Sequence, residues 1–387
     1  MRDYVEIGIG REARKTYSLN DLTVLPTRRT RSSKDVDTSW NIDAYSFQIP
    51  IISHPTDALG SPEFVIEMDR QGGMGVLNAE GILARHEDFN EAVGQVIAAC
   101  QDEFGGIDFA SPRAIAKLQE LHAAPLCEDL LAQRIAQVRE SGATVAVRIS
   151  PQRARDLAPV VIKAGAELLF IQGTMISAEH VAESGEPLDL KEFIASLDVP
   201  VIVGGVSDYN TALHLMRTGA VGIIVGSGTN TNGQALGIEP AMATAIADVA
   251  AARRDYLDET GGRYVHIIAD GEIYSSGNMV TAIACGADAV ILGSPLAGAQ
   301  EAPGQGLYWP STAAHPRFPR GLVEPAVGPV SDDDAERPSL EKILHGPSTD
   351  AFGMQNFVGG LRRALAKCGY ADLKSFQKVE LAFRFGI

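Results

Sequence analysis

Cysteine is scarce in this chain, and a long apolar run and an excess of basic charge are both missing. The 387 residues contain only four cysteines, with no CxxC pair, which favours a reducing compartment over a disulfide scaffold. No run reaches the roughly 18 apolar residues of a membrane span, and the N-terminus has no apolar signal-peptide core. The net charge of −16 argues against a nucleic-acid partner. We therefore expect a soluble, cytoplasmic protein without a membrane partner.

Several common ligand-binding motifs are also missing. The chain has no Walker loop, no HExxH and no GxSxG motif, and its eight histidines show no metal-ligand spacing, so we predict no metal site. Gly226 and Gly228 lack the third glycine of a Rossmann fingerprint, which would fall at position 231. Any nicotinamide cofactor would therefore bind outside a Rossmann domain.

Eight short apolar runs recur along the chain, and most are followed by an amphipathic stretch of helical length. They cover residues 49–53, 74–78, 144–150, 167–173, 200–205, 222–228, 264–271 and 289–294. Continuous apolar strands that alternate with helices are typical of parallel strands covered on both faces. The pattern predicts an α/β protein, a single (β/α)8 TIM barrel over residues 1–387, with its site at the C-terminal ends of the strands.

Three segments lie outside the bare barrel, which needs roughly 250 residues. Residues 1–48 are interpreted as an N-terminal arm that closes the barrel floor. Residues 79–143, after the second strand, predict a helical insertion. Eight of the 20 prolines lie between positions 302 and 347, a spacing that excludes a long helix. We interpret residues 299–350 as a lid over the barrel mouth or an oligomer contact.

Glycine turns follow the seventh and eighth predicted strands. Gly271 and Gly293 would let backbone N–H groups approach an oxyanion, and these two loops are where barrels often bind phosphate. Asp270 ends the seventh strand, where its carboxylate could accept hydrogen bonds from two ribose hydroxyls. Ordinary turn chemistry at the glycines and helix capping by Asp270 are the alternatives.

Nine segments of the chain match a known family in order and spacing. They cover residues 21–26, 49–57, 71–76, 202–206, 224–228, 269–273, 286–294, 301–304 and 358–362. On these segments, which include Ala-Asp-Gly-Glu-Ile at 269–273, the chain resembles the IMP dehydrogenase and GMP reductase family. It resembles most the actinobacterial IMP dehydrogenase-related branch, whose members lack the regulatory CBS pair. The insertion at 79–143 stands in place of that pair and is too short to hold it.

The resemblance implies a purine nucleoside 5′-monophosphate ligand, IMP or GMP, and an NAD or NADP cofactor. Asp270 would hold the ribose hydroxyls, Ser53 would lie near the base or ribose, and Thr231 falls where the family has a phosphate-binding serine. The other nucleotide-binding positions implied are Gly226, Gly228, Gly271, Glu272, Gly293 and Ser294. By analogy the chain would form a homotetramer.

The chain departs from the family where the family places its chemistry. Family enzymes attack the purine with a cysteine thiolate in the loop after the sixth strand, but that position is Gly233 here. Gln172 replaces an aspartate near the nicotinamide ribose. Arg320 belongs to an Arg-Gly remnant of the mobile flap, and together with Thr231 it is the remaining catalytic candidate. The rewritten loop at 226–237 argues against the monovalent cation of the dehydrogenases.

The sequence leaves three functional hypotheses open. The first is an oxidoreductase that transfers hydride between a nicotinamide cofactor and a purine nucleotide, without the family cysteine. The second is a catalytically silent purine-nucleotide binding or regulatory protein. The third is an FMN-dependent barrel enzyme, because such enzymes also bind phosphate after the seventh and eighth strands.

Overall fold

The structure is a computed structural model that describes residues 3–384 apart from positions 28, 103, 105, 109, 110 and 175 and the segments 177–187 and 329–336. In that part of the chain the strands are β1 (Tyr4–Gly8), β2 (Arg11–Arg14), β3 (Leu22–Leu25), β4 (Trp40–Ile42), β5 (Tyr45–Phe47), β6 (Ile51–Ser53), β7 (Val76–Asn78), β8 (Ala146–Ile149), β9 (Leu168–Gln172), β10 (Val201–Val206), β11 (Gly222–Gly226), β12 (His266–Asp270), β13 (Ala289–Leu292), β14 (Leu307–Tyr308), β15 (Glu324–Pro325) and β16 (Glu380–Phe383). The α-helices are α1 (Pro62–Arg70), α2 (Phe89–Ala99), α3 (Pro112–Ala123), α4 (Glu128–Glu140), α5 (Ala154–Ala164), α6 (Leu190–Ala195), α7 (Tyr209–Met216), α8 (Asn232–Leu236), α9 (Met242–Thr260), α10 (Ser276–Cys285), α11 (Ser294–Ala297), α12 (Leu340–His345), α13 (Phe357–Cys368) and α14 (Leu373–Phe376).

Strands β6 to β13 form one eight-stranded sheet in which every paired neighbour is parallel. The sheet closes where β6 meets the chain that enters β7. There the Ser53 amide donates to the Met74 carbonyl at 2.9 Å, and the Met74 amide donates to the Ile51 carbonyl at 3.0 Å. The predicted (β/α)8 barrel is therefore confirmed. The eight predicted runs coincide with its eight strands in order, except that β10 continues to Val206, one residue past the predicted run 200–205.

The barrel strands lack the alternation of a half-exposed sheet because both of their faces are covered. Every residue of β9 and β11 is buried, with side chains alternating between the barrel interior and the surrounding helices. The helices present one apolar stripe to the sheet, as α5 does with Leu157 and Val161. None of the described helices is long and apolar enough to cross a membrane.

The N-terminal arm seals the floor of the barrel. The β4–β5 hairpin buries Ile42 completely, and a Cβ added to Gly222, the first residue of β11, would lie 3.4 Å from Ile42 Cδ1. The Trp40 indole donates from Nε1 to the Ile49 carbonyl at 3.0 Å, and its ring meets that of His266 at the start of β12. Since the floor is filled by side chains, only the C-terminal ends of the strands offer an open mouth.

Two further segments border the mouth. Residues 79–143 carry helices α2, α3 and α4, and residues 299–350 carry the short antiparallel pair β14–β15 and helix α12, with 329–336 outside the described residues. The β14 segment is held against the barrel, because the Gly304 amide donates to the Ala58 carbonyl at 3.1 Å and the Thr56 hydroxyl donates to the Trp309 carbonyl. This packing brings Tyr308 to the barrel mouth.

We expect Ile42→Ala to lower the melting temperature clearly, because Ile42 is 0% exposed in the floor and its truncation leaves a cavity that costs about 2–5 kcal/mol. Ile7→Ala removes the same atoms on the β1 strand, where Ile7 is 67% exposed, and is expected to change stability by less than about 0.5 kcal/mol. Thermal denaturation of both variants checks this. Equal melting temperatures would show that the hairpin does not support the barrel.

Candidate active site

Four buried polar side chains meet at the barrel mouth. His54 follows β6, Gln172 ends β9, Asp270 ends β12 and Tyr308 ends β14, and none of them is more than 5% exposed. Gln172 Nε2 donates to Asp270 Oδ2 at 2.8 Å, and His54 Nε2 lies 3.6 Å from the same oxygen. The His54 and Tyr308 rings pack edge to face with centroids 6.3 Å apart. The Asp270 carboxylate is therefore the centre of the group.

Several polar atoms of this group have no hydrogen-bond partner among the described residues. They are His54 Nδ1, Gln172 Oε1 and Tyr308 Oη. Buried polar atoms are nearly always paired, and each one left unpaired costs about 1–3 kcal/mol. Three such atoms at the open end of a barrel indicate a site that a polar ligand completes.

Burial decides the charges in this group. Burial raises the pKa of Asp270 to about 7, against the opposing effect of the Gln172 hydrogen bond. Burial, and then the positive charge of Arg148, lowers the pKa of His54 to about 3, so this imidazole is neutral. The contact between His54 and Asp270 is therefore not an ion pair at neutral pH. The ionisation of Asp270 is poised close to physiological pH, which is common at functional sites.

A narrow cleft opens beside Asp270, lined by the turns that follow β11, β12 and β13. Six of the nine predicted nucleotide-binding residues line it, namely Gly228, Asp270, Gly271, Glu272, Gly293 and Ser294. Glu272 has a left-handed backbone with φ +57°, and its carboxylate accepts from the Leu19 amide at 3.2 Å. This hydrogen bond ties the Glu272 side chain to the N-terminal arm.

Two glycines are required by close approach at this cleft. A Cβ on Gly228, which has φ +75°, would lie 2.5 Å from His54 Nε2. A Cβ on Gly293 would lie 2.7 Å from Tyr308 Oη. Any side chain at either position would displace a member of the buried polar group, so the glycines have a packing role beside any role in anion binding.

The other three predicted nucleotide-binding residues lie outside the cleft lining. Ser53 is fully buried, and its Oγ accepts from the Val76 amide at 3.1 Å. Gly226 packs against β12, where a Cβ would lie 2.3 Å from the Asp270 carbonyl oxygen. Thr231 lies further along the loop, and its amide donates to the Arg320 carbonyl at 3.3 Å. The structure thus brings Thr231 and Arg320, the two remaining catalytic candidates, together.

Arg320 is held by its own segment rather than by Asp270. Its Nη1 donates to the Phe318 carbonyl at 2.7 Å, and its guanidinium lies over the Phe318 ring. Gly233, where the resemblance leads one to expect the family cysteine, lies in α8, and a Cβ there would be 2.3 Å from Glu239 Oε2. A side chain at this position would have to move the Glu239 carboxylate.

None of the four cysteines lines the cleft. Burial raises the pKa of Cys285 to about 12 and, together with the negative charge of Asp108, raises that of Cys100 to about 11; burial also raises the pKa of Cys368. Cys127 is exposed at the start of α4. A nucleophilic cysteine needs a lowered pKa, so the three thiols with raised pKa values are not activated.

Reasoning from sequence missed two members of the site. His54 directly follows a predicted strand, and that position alone was a signal that it faces the mouth. Tyr308 lies in the proline-rich segment, where no periodic pattern marks a strand. From sequence, Gln172 is expected only as a replacement for an aspartate, whereas in the structure it is the hydrogen-bond partner of Asp270.

Comparison with known proteins agrees with this architecture. Residues 16–321 match the family model of the IMP dehydrogenase / GMP reductase domain. Uncharacterized oxidoreductases of Mycolicibacterium smegmatis and Mycobacterium tuberculosis are 60% and 59% identical, each over 97% of this chain and 99% of its own length. An inosine-5′-monophosphate dehydrogenase of Methanocaldococcus jannaschii is 24% identical over 95% of this chain and 92% of its own.

A solved structure is similar over nearly the whole chain. The crystal structure of an IMP dehydrogenase/GMP reductase-like protein from Corynebacterium glutamicum is 68% identical, covers 99% of this chain and 98% of its own, and has a TM-score of 0.92. The family model, the relatives and the solved structure all match across the barrel and its mouth. The chain belongs to the IMP dehydrogenase / GMP reductase family.

Proposed function

We propose that this chain binds a purine nucleoside 5′-monophosphate, IMP or GMP, at the barrel mouth and acts on it as an oxidoreductase. The observation that carries this proposal is the set of unpaired, buried polar atoms around Asp270, beside two glycine turns that line the same cleft. Membership in the IMP dehydrogenase / GMP reductase family supports the purine nucleotide as the ligand class.

The residues present fit such a nucleotide. The ionised Asp270 carboxylate can accept hydrogen bonds from two neighbouring ribose hydroxyls, which are neutral donors and tolerate burial better than a second charge. The backbone of the turns at Gly271 and Gly293 would meet the phosphate. Ser294 Oγ accepts from the Val327 amide at 2.8 Å, so its own hydrogen is available for a phosphate oxygen.

A nicotinamide cofactor, NAD or NADP, would supply the acceptor or donor of hydride when bound. Gln172 fits a role next to it, since its Oε1 is buried, unpaired and at the strand end, and can accept an N–H from a carboxamide or a purine base. Gln172 also orients Asp270 through Nε2. Through its Oε1 the Gln172 side chain would position the reacting ring, and through its Nε2 it would position the Asp270 carboxylate that binds the ribose.

The covalent thiolate step of the family does not fit this chain. Gly233 stands at the thiol position, and no cysteine lines the cleft. We therefore propose no step through a cysteine. The same observation favours a second candidate function, a catalytically silent purine-nucleotide binding or regulatory protein, which shares the nucleotide site and lacks turnover.

We expect Asp270→Asn to weaken binding of IMP and GMP about 10- to 150-fold, because an amide cannot accept both ribose hydrogen bonds that the carboxylate accepts, and a hydrogen bond to a charged group is worth about 1.5–3 kcal/mol. Isothermal titration calorimetry measures this. Asp258→Asn, the same change on an exposed position of α9, serves as the control. Parent-like affinity in Asp270→Asn would show that the ribose site is assigned to the wrong residue.

We expect the difference in IMP affinity between the parent protein and Asp270→Asn to depend on pH. Because the pKa of Asp270 is raised to about 7, the carboxylate that binds ribose is present above pH 7 and is lost below it. The dissociation constant of Asp270→Asn for IMP, divided by that of the parent, should therefore rise from pH 6 to pH 8 and level off at higher pH. The nucleotide phosphate titrates equally in both proteins, so the ratio isolates Asp270. A ratio that is flat with pH contradicts the assignment.

Turnover separates the two candidate functions. We expect IMP with NAD, or GMP with NADPH, to change the absorbance at 340 nm, and we expect iodoacetamide to leave that rate unchanged, because the exposed Cys127 lies outside the cleft. A flat trace together with calorimetric binding of IMP or GMP would support the silent binding protein. Loss of activity on alkylation would instead show that a thiol takes part.

A further inference from the structure

We propose that the phenol of Tyr308 is a direct ligand of the 5′-phosphate of the bound nucleotide. This inference rests on the proposed function and adds to it a phosphate donor from outside the barrel strands. Tyr308 is 1% exposed, lines the cleft, and its Oη has no hydrogen-bond partner among the described residues. A buried hydroxyl that faces a ligand cleft without a partner is a donor that the ligand would use.

The phenol lies against the turn that follows β13. A Cβ on Gly293 would lie 2.7 Å from Tyr308 Oη and 2.8 Å from two carbons of its ring. The next residue, Ser294, also lines the cleft and has a hydroxyl hydrogen that its bond to the Val327 amide does not use. The phenol, the Gly293 backbone and the Ser294 hydroxyl therefore border one small space.

This space has to hold an anion without the help of a cation. Among the described residues that line the cleft there is no lysine and no arginine, and the acidic ones are Asp270 and Glu272. A phosphate here depends on neutral donors, which are backbone N–H groups and hydroxyls. Each hydrogen bond from a hydroxyl then contributes a larger share of the phosphate-binding free energy than it would in a site that also contained a lysine.

Tyr308 stays a donor at any physiological pH. Burial, followed by the negative charges of Asp270 and Glu324, raises the pKa of the phenol well above its usual value of 10. The neutral hydroxyl adds no negative charge that would repel a phosphate. It can donate a hydrogen bond to a phosphate oxygen bound in the cleft beside Asp270. The same hydroxyl could otherwise donate to the ribose, so the test must distinguish phosphate from ribose.

The backbone of Tyr308 is fixed before any ligand binds. Tyr308 pairs with Glu324 in the β14–β15 ladder, and the following residue, Trp309, accepts a hydrogen bond from the Thr56 hydroxyl beyond the end of β6. The ring itself packs against Gly293 and His54. A donor held in this way loses little conformational entropy when the phosphate arrives.

The test compares a nucleotide with its nucleoside. IMP and inosine are titrated by calorimetry into the parent protein, Tyr308→Phe and, as a matched control, Tyr256→Phe, a buried tyrosine of α9 outside the cleft. We expect Tyr308→Phe to weaken IMP about 10- to 100-fold, as for a lost hydrogen bond to a charged group, and to leave inosine within about twofold. Tyr256→Phe should bind both ligands as the parent does.

The other outcomes overturn the inference in different ways. Equal weakening of IMP and inosine would make Tyr308 a ribose or base ligand, and unchanged affinity for both would remove it from the site. If the parent binds IMP and inosine equally, the cleft has no phosphate subsite. If the parent binds neither, the proposed function fails and this inference fails with it.

The ligand-free protein provides a second readout. Because the Tyr308 hydroxyl is buried and unpaired, its removal should leave the melting temperature equal or higher, whereas a structural hydrogen bond would make the temperature fall. Gly293→Ala is the second variant, since its methyl group would displace the phenol, with Gly298→Ala, whose added Cβ would meet nothing nearer than 3.7 Å, as its control. Gly293→Ala should lose affinity for IMP more than for inosine, and the opposite order contradicts the inference.

Discussion

The buried carboxylate of Asp270 is the constraint on which the mouth of this barrel depends. A carboxylate that is 1% exposed is costly to ionise, and burial raises its pKa to about 7. Gln172 offsets part of that cost through a 2.8 Å hydrogen bond, while the neutral His54 provides a polar neighbour without a compensating charge. The protein therefore keeps one partly satisfied acid at the centre of a cleft, an arrangement that favours ligand binding over stability.

The remainder of the fold supports that acid at a distance. The N-terminal hairpin fills the floor, so that the barrel opens only at the strand ends where Asp270 lies. The segment after β13 returns across the mouth and places Tyr308 against Gly293. The glycines after β11 and β13 let the polar side chains approach the backbone.

The loop after β11 is the part of this chain that departs from the family pattern. Gly233, where the resemblance places the family cysteine, lies in the short helix α8, and a Cβ there would be 2.3 Å from Glu239 Oε2. The proposed nucleotide site and the position expected for the nucleophile lie on different loops, so one can be present without the other. The residues proposed to bind the nucleotide lie at the end of β12 and in the turns after β12 and β13, whereas the loop after β11 carries no thiol. Any chemistry at the proposed site would proceed without a cysteine adduct and would depend on orientation and electrostatics.

The order of the eight strands and the two glycine turns could be predicted from sequence, because they are local features. A strand buried on both faces is a continuous apolar run, and a glycine directly after it marks a turn at the strand end. The meeting of Gln172 with Asp270 was decided by the tertiary structure, since these residues are 98 positions apart and a one-residue change in register would turn either side chain away. The approach of Tyr308 to Gly293 likewise depends on how an aperiodic segment packs. The sequence thus determined which positions lie at the mouth, and only the closed barrel decided which of their polar atoms are buried together.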